Sequence, residues 1–170
     1  MKDASVYVGS CLKYADGNLG GSWVALNDFG SSEEFINHCN KLHSDEMDVE
    51  LDFQDWENIP YNLIGQHFIN PIYWEIMEYQ NIDHMAMYDY LNEMVGSIAN
   101  NETAHDLIQK MEERCQGEWS YFSDFVREQF DSLYEIPDFL ESHIDWSSIE
   151  HEWSMEYTFT DNCYVFSQHS

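Results

Sequence analysis

Basic residues are scarce in this chain. Its 170 residues include six Lys and Arg against 33 Asp and Glu, which gives a formal net charge of −27 at pH 7. A charge of this sign repels DNA, RNA and anionic lipid, because all of these present phosphates. The composition therefore excludes a protein that binds nucleic acids or membrane surfaces, and it predicts basic partners.

Closely spaced cysteines and long apolar runs are also absent. The four cysteines, Cys11, Cys39, Cys115 and Cys163, are far apart and form no CxxC pair. The first ten residues lack the apolar core, about 7–15 residues long, of a signal peptide. No run approaches the ~18 apolar residues of a membrane span. We therefore expect a cytosolic protein with free thiols.

Motifs that would indicate an enzyme are missing as well. The chain has no GxxxxGK[ST] or GxGxxG phosphate-binding loop and no GxSxG nucleophile motif. A Ca²⁺ loop that began at Asp48 would need Gly at its sixth position and Glu at its twelfth, where the chain has Phe53 and Ile59. From these absences we expect that the chain has no catalytic residues and no cofactor.

One pair of residues has the spacing of metal ligands. Cys39 and His43 are separated by one turn of a predicted helix, and His38 lies beside Cys39. A structural zinc site would need two more ligands at a recognisable spacing, and none occurs. We therefore expect no metal here, with Cys39 buried and the histidines facing solvent.

The apolar content predicts a folded protein. The chain is 44% hydrophobic and 16% aromatic, whereas disordered acidic tails contain few aromatic residues. Its length allows one compact domain or two to three small modules.

An acidic stretch at residues 43–60 contains seven Asp and Glu and no Lys or Arg. Asp48, Glu50 and Asp52 alternate with Val49, Leu51 and Phe53, which predicts a strand with carboxylates on one face. Carboxylates on one face of a strand recur every ~6.6 Å, a distance comparable to the spacing of phosphates along DNA. We hypothesise that this row imitates phosphates.

The pattern along the chain predicts an α+β fold of three modules. In residues 1–60, strands at 5–11 and 22–26 should form a hairpin with turn signals at 12–21, joined by the acidic strand in a three-stranded antiparallel sheet. Ser31 and Glu34 fit a capping box that begins a helix. Residues 61–116 should form a helical module, with helices from Pro71, at 83–98 and at 101–115.

Residues 117–170 should form a module of helices and a β-hairpin. Aromatic and apolar residues recur at helix spacing from Trp119 to Leu133, and their cluster should be core or a dimer surface. Short helices or turns should follow at 139–146 and 146–153. Strands at 155–159 and 163–166 should pair around a turn at 160–162.

Acidic residues dominate two long spans. Residues 42–109 contain fourteen Asp and Glu, residues 128–170 contain ten, and neither span has a Lys or Arg. An ordinary surface intersperses both signs of charge, so this distribution favours a function for the charge. Solvated helix faces, halophilic adaptation or solubility could produce it too.

Three segments resemble a known family. Residues 7–26, YVGSCLKYADGNLGGSWVAL, resemble the opening of the ArdA antirestriction proteins. Residues 33–60, with EEF, LHSDE and FQDWENIP, and residues 144–166, with IDW and YVF, are similar to later parts of that family. The resemblance is most specific over the first sixty residues.

The resemblance implies an elongated, curved homodimer of three modules that mimics bent B-form DNA. Members of the family occupy the DNA groove of type I restriction-modification complexes in the bacterial cytoplasm, are carried by plasmids, transposons and phages, are not enzymes and need no cofactor. DNA carries about one charge per 1.7 Å, so 27 charges correspond to ~46 Å of duplex per chain and ~90 Å per dimer.

The acids expected to mimic phosphates lie in three patches. The first patch is Asp45, Glu46, Asp48, Glu50, Asp52, Asp55 and Glu57. The second is Glu75, Glu78, Asp83, Asp89 and Glu93, and the third is Glu128, Asp131, Glu135, Asp138 and Glu141.

Two other functions stay open at this point. An acidic mimic could inhibit a different nucleic-acid machine, such as a CRISPR effector, another defence complex or a nucleoid protein. A metal-dependent hydrolase could use a pair of the carboxylates. Strong salt sensitivity without turnover would indicate an inhibitor, and loss of activity on chelation would indicate the enzyme.

Overall fold

The computed structural model describes residues 1, 3–17 and 20–169, and these form two compact units, Met1–Ile108 and Gln109–Ser170. Within the described residues there are eight α-helices and three antiparallel sheets, which confirms the predicted α+β class. The division into three modules at residues 60 and 116 stays a prediction.

The first unit begins with the predicted three-stranded sheet. Its strands are β1 (Ser5–Ser10), β2 (Ser22–Ala25) and β3 (Leu51–Glu57), in the antiparallel order β2-β1-β3. Val6 and Val8 of the central strand are fully buried. A short helix, α1 (Cys11–Ala15), occupies the first part of the predicted turn, and Asn18 and Leu19 of that turn lie outside the described residues.

Strand β3 differs from the regular row predicted from the sequence. Asp48 and Glu50 precede the strand. The pairing with β1 shifts between Tyr7, which faces Asp55, and Val8, which faces Phe53, so Gln54 is an extra residue in a β-bulge. The strand therefore begins later than predicted, at Leu51, and its bulge follows the predicted alternation of residues 48–53.

Helix α2 (Ser32–Leu42) packs against the sheet, and the core of this unit lies between them. It begins as predicted, because Ser31 Oγ accepts a hydrogen bond from the Glu34 amide at 3.2 Å. Phe35 is fully buried, and its ring centroid lies 6.0 Å from that of Phe53 in β3 and 5.9 Å from that of Trp74.

The rest of the unit is largely helical. Its elements are β4 (Ile64–Gly65), β5 (Phe68–Ile69), α3 (Ile72–Met77), α4 (His84–Asp89), a π-helical turn (Tyr90–Met94) and α5 (Ala104–Arg114), which runs past residue 108. Helix α3 follows Pro71 as predicted. The β4–β5 hairpin was not predicted, and the helix expected at 83–98 ends at Met94.

The second unit packs helices against a small sheet. Its elements are β6 (Cys115–Glu118), α6 (Phe122–Leu133), α7 (Asp138–Glu141), α8 (Trp146–Trp153), β7 (Tyr157–Phe159) and β8 (Tyr164–Ser167). The predicted hairpin forms, and β6 extends it to the sheet order β6-β8-β7. Phe125, Val126 and Val165 form the core, and Trp119 and Phe122 pack against it. This part of the predicted aromatic cluster is therefore core, whereas Tyr121 and Leu133 are exposed.

None of the helices in the described ranges combines the length and the apolar content of a membrane-spanning segment.

Candidate carboxylate surface

Most of the acids expected to mimic phosphates are at the surface. Fourteen of the seventeen are exposed, namely Asp45, Asp48, Glu50, Asp55, Glu57, Glu75, Glu78, Asp83, Glu93, Glu128, Asp131, Glu135, Asp138 and Glu141. The other three differ: Asp52 and Asp89 are buried, and the side chain of Glu46 is only 5% exposed.

The first acidic patch is anchored at its beginning by buried polar contacts. The hydroxyl of Ser10, at the end of β1, donates a hydrogen bond to Glu46 Oε1 at 2.6 Å. Lys13 Nζ on α1 lies 3.4 Å from the same oxygen. Glu46 therefore ties the loop after α2 to the sheet, and its carboxylate faces the protein.

Lys13 also holds the neighbouring acid. Its ammonium donates to Asp45 Oδ1 at 2.9 Å, and this hydrogen bond lowers the pKa of Asp45 below its ordinary value. The side chain of Asp45 is still 67% exposed. One carboxylate of the patch is thus partly neutralised while it remains accessible, and the next exposed acids, Asp48 and Glu50, extend the patch toward β3.

Asp52 is held inside the fold by amide donors. Its Oδ1 accepts from Gln66 Nε2 at 2.9 Å and its Oδ2 from Gln54 Nε2 at 3.1 Å. A buried carboxylate needs such donors, because burial removes the water that would solvate its charge. The expectation that Asp52 faces solvent in the acidic row was therefore wrong.

Beyond the bulge, β3 presents two exposed acids on one face. Asp55 lies opposite Tyr7 and Glu57 opposite Ser5 on β1. Side chains two residues apart on a strand share a face and recur every ~6.6 Å. This pair belongs to the first patch, whereas the alternation predicted from the sequence comprised Asp48, Glu50 and Asp52.

The second patch combines exposed and structural acids. Glu75, Glu78 and Glu93 are exposed. Asp83 is exposed but caps α4, because its Oδ1 accepts from the amides of Met85 at 2.9 Å and Ala86 at 3.1 Å. It thus satisfies amides that have no partner within the helix.

Asp89 of the second patch is buried in the first unit. Only 4% of its surface is exposed, so the expectation that it faces a partner was wrong. Burial lowers the pKa of the Met1 amine, and the charge of nearby Asp89 opposes that shift. Asp89 therefore compensates a buried positive group of its own unit.

The third patch lies entirely at the surface of the second unit. Glu128 and Asp131 are on α6, Glu135 follows that helix, and Asp138 and Glu141 are on α7. Residues three and four apart on a helix are neighbours, so Glu128 and Asp131 share one face.

Other exposed acids were not singled out from the sequence. Glu112, Glu113, Glu118 and Asp124 are exposed in the second unit. They lie among Lys110, Arg114 and Arg127, outside the spans that lack basic residues. Only the overall acidic composition could have indicated them.

The residues with zinc-like spacing form no such site with each other. Cys39 is buried as predicted, and burial raises the pKa of its thiol to about 12. His38 is exposed, as predicted, beside Phe29. His43 is only 3% exposed and its Nδ1 lies 3.2 Å from Lys13 Nζ, so the prediction that it faces solvent was wrong.

Comparison with protein families gives a match over most of the chain. The model of the family described as Antirestriction protein (ArdA) matches residues 6–166. That range covers most of both compact units and includes all seventeen acids of the three patches. No curated protein matches the chain.

Proposed function

Because this chain belongs to the ArdA family of antirestriction proteins, we propose that it inhibits type I restriction-modification complexes as a DNA mimic. In this proposal the exposed carboxylates of the three patches occupy the basic groove in which the complex binds DNA. The protein acts by stoichiometric binding and is not an enzyme. It needs no cofactor for this.

The observation that carries the proposal is an excess of exposed carboxylate that the chain cannot neutralise. With 33 acids and six Lys and Arg, 27 carboxylates remain after one-to-one pairing of every basic residue. Fourteen of the seventeen acids in the three patches are exposed. Like charges held together destabilise a compact fold. A basic partner relieves this repulsion and is therefore bound favourably.

Binding in a DNA groove also explains why the acids are distributed over both units. A groove that holds duplex DNA contacts many phosphates along its length, and each contact contributes little alone. An acidic surface that is already folded competes well with DNA, because no duplex must be bent for it to bind.

The structure supports different roles for different acids. We assign the contacts with the partner to the fourteen exposed residues. We assign Glu46, Asp52 and Asp89 to the stability of the first unit, because the first two accept internal hydrogen bonds and the third is buried.

Three further proposals follow from the family. We propose that the chain acts as a homodimer, that it works in the cytoplasm of a bacterial host, and that a phage or plasmid carries its gene. Light scattering on the purified protein tests the dimer, which should have twice the 20.2 kDa of one chain.

Inhibition of a purified type I enzyme tests the function. The protein should block ATP-dependent cleavage of unmodified DNA at about one dimer per DNA-binding site, and added duplex DNA should relieve the block. Inhibition should weaken as salt rises, because screening reduces the attraction between exposed charges. If the chain instead captures a different DNA-binding complex, and duplex DNA and salt weaken that binding in the same way, DNA mimicry would hold and the target would be that complex.

A further inference from the structure

Three different metal-binding side chains meet in the first unit, and neither Cys39 nor His43 is one of them. They are Cys11 at the start of α1, Asp52 in β3 and His67 in the β4–β5 turn. The cysteine sulfur, a carboxylate oxygen and an imidazole nitrogen all lie within 4.8 Å of one another. We propose that Cys11, Asp52 and His67 bind a zinc ion, a property separate from the antirestriction function.

The distances require only a small contraction. Zinc binds sulfur at about 2.3 Å and nitrogen or oxygen at about 2.0–2.2 Å in tetrahedral geometry, which places ligand atoms roughly 3.2–3.6 Å apart. The three ligand atoms are therefore within about 1.5 Å of zinc-binding distances. Side-chain rotation supplies shifts of this size.

Backbone hydrogen bonds fix the three segments next to the ligands. The Cys11 amide donates to the carbonyl of Glu50 at 2.9 Å, which joins the end of β1 to the residues before β3. The Phe53 amide donates to the carbonyl of Gln66 at 2.7 Å, which joins β3 to the β4–β5 turn. Each ligand thus lies beside a residue whose backbone is already held, so binding orders little additional chain.

The imidazole of His67 is held by one of its ring nitrogens. Its Nδ1 lies 3.0 Å from the carbonyl oxygen of Leu51. A carbonyl can only accept, so in this hydrogen bond Nδ1 donates, and Nε2 is the nitrogen that could bind a metal. Metal-binding histidines commonly donate their other ring N–H to a carbonyl or carboxylate in this way.

The carboxylate of Asp52 is supported in the same manner. The amides of Gln54 and Gln66 donate to its two oxygens, at 3.1 and 2.9 Å, and fix the plane of the group. Each carboxylate oxygen has more than one acceptor site, so these hydrogen bonds leave room for a metal. A cation would also stabilise this buried negative charge.

The electrostatic surroundings favour a divalent cation. The carboxylates of Glu50, Asp52 and Glu46 lie near enough to the Cys11 thiol to act on its charge. These same carboxylates attract a metal ion. A sulfur, a nitrogen and an oxygen ligand suit zinc, whereas calcium and magnesium prefer oxygen ligands alone. With three protein ligands, water fills the fourth position.

Titration of the purified full-length chain with Co²⁺, a spectroscopic substitute for zinc, tests the site. Excess Mg²⁺ in the buffer occupies exposed carboxylates. We expect one Co²⁺ per chain with thiolate-to-cobalt absorption in the near ultraviolet, and one equivalent of Zn²⁺ should abolish that absorption.

Two variants and two matched controls locate the site. Cys11→Ser should abolish the thiolate absorption. His67→Asn keeps an N–H that can donate to Leu51 but lacks the ligand nitrogen, and it should weaken Co²⁺ binding at least ~100-fold, since loss of a mere supporting group costs 10–100-fold. Cys163→Ser, at another partly exposed free cysteine, and His143→Asn, at an exposed histidine, should leave binding unchanged.

Three results would overturn the proposal. Co²⁺ binding without thiolate absorption would place the metal on surface carboxylates. Absorption that persists in Cys11→Ser, or that Cys163→Ser abolishes, would place it at another cysteine. Unchanged affinity in folded His67→Asn, verified by circular dichroism, would remove the histidine from the site.

Discussion

In the unit Met1–Ile108 three acids of the predicted patches are drawn into the fold, whereas in Gln109–Ser170 all five such acids are exposed. The first unit supplies donors for its inward acids, namely Ser10 and Lys13 for Glu46 and two glutamine amides for Asp52. A carboxylate is buried only where such donors compensate its desolvation. The comparison shows that a very acidic sequence contains both buried structural acids and exposed acids. Hydrogen-bond donors close to the carboxylate distinguish the two kinds.

The units also differ in the size of their cores. The second unit relies on one aromatic cluster around Phe125, whose ring centroid lies 5.0 Å from that of Tyr157, 5.5 Å from Trp119 and 6.0 Å from Trp153. The first unit has a wider core that includes Phe35, Phe53 and Tyr73.

Phe125→Ala should therefore produce the largest loss of stability. Removing a fully buried aromatic ring costs about 3–5 kcal/mol, and here it removes the centre of the cluster. Phe139→Ala, at a side chain that is 73% exposed, should change the free energy of unfolding by less than about 0.5 kcal/mol. Urea denaturation followed by tryptophan fluorescence measures both, and equal effects would mean that the second unit has a different core.

Asp52→Ala should produce the next largest effect. It would leave the amides of partly buried Gln54 and of Gln66 without their acceptor, and hydrogen bonds to a charged group contribute about 1.5–3 kcal/mol. Asp55→Ala, on the same strand but exposed, is the matched control and should stay within about 0.5 kcal/mol of the wild type. The distinction between inward and outward acids fails if the two substitutions have equal effects on urea denaturation.

Ser31→Ala should have a smaller effect, because it removes one helix cap in the first unit. The hydroxyl of Ser31 accepts from the Glu34 amide at 3.2 Å, and loss of such a cap typically costs about 1 kcal/mol. Ser44→Ala, at an exposed serine after α2, is the control. A cap that matters little in thermal denaturation would indicate that α2 is held by its core contacts alone.

The second unit uses a charged cap, which should make its effect depend on pH. Asp145 accepts from the Ser148 amide at 3.2 Å and from the Ser148 hydroxyl at 2.8 Å, and these hydrogen bonds lower the pKa of Asp145. A lowered folded-state pKa means that the stabilisation is present above the ordinary aspartate pKa and is lost as pH falls through the folded value.

NMR titration of the Ser148 amide checks this pH dependence. In the wild type its chemical shift should titrate with a midpoint below the ordinary aspartate range. In Asp145→Asn this titration should be absent, because asparagine keeps an acceptor oxygen but has no titratable group. A midpoint at or above the ordinary value would contradict the cap.

Local sequence signals predicted the elements that depend on local physics. The capping residues Ser31 and Glu34, Pro71 before α3, and the spacing of Phe122, Phe125 and Val126 in α6 each determine a structure within a few residues. The three-stranded sheet followed from strand periodicity and turn residues.

Features that depend on distant contacts were missed. The bulge at Gln54 exists because of its pairing with β1, and the two-residue strands β4 and β5 are too short to show a period. The sequence also could not show that Gln66 comes near Asp52, or that Cys11, Asp52 and His67 meet. The five acids of the third patch are exposed, but the absence of Lys and Arg does not distinguish them, because residues 42–109, which contain the three inward acids, lack Lys and Arg as well.

The most direct test of the proposed mimicry is the affinity for a purified type I restriction-modification complex after neutralisation of the third patch. The variant carries Glu128→Gln, Asp131→Asn, Glu135→Gln, Asp138→Asn and Glu141→Gln, and is compared with the five single variants at two salt concentrations. At ~0.5 kcal/mol for each exposed pair, the combined variant should bind roughly 70-fold more weakly, with a shallower salt dependence, while each single variant changes affinity only about twofold. Unchanged affinity in the folded combined variant, or complete loss of binding in one single variant, would contradict a distributed array of carboxylates.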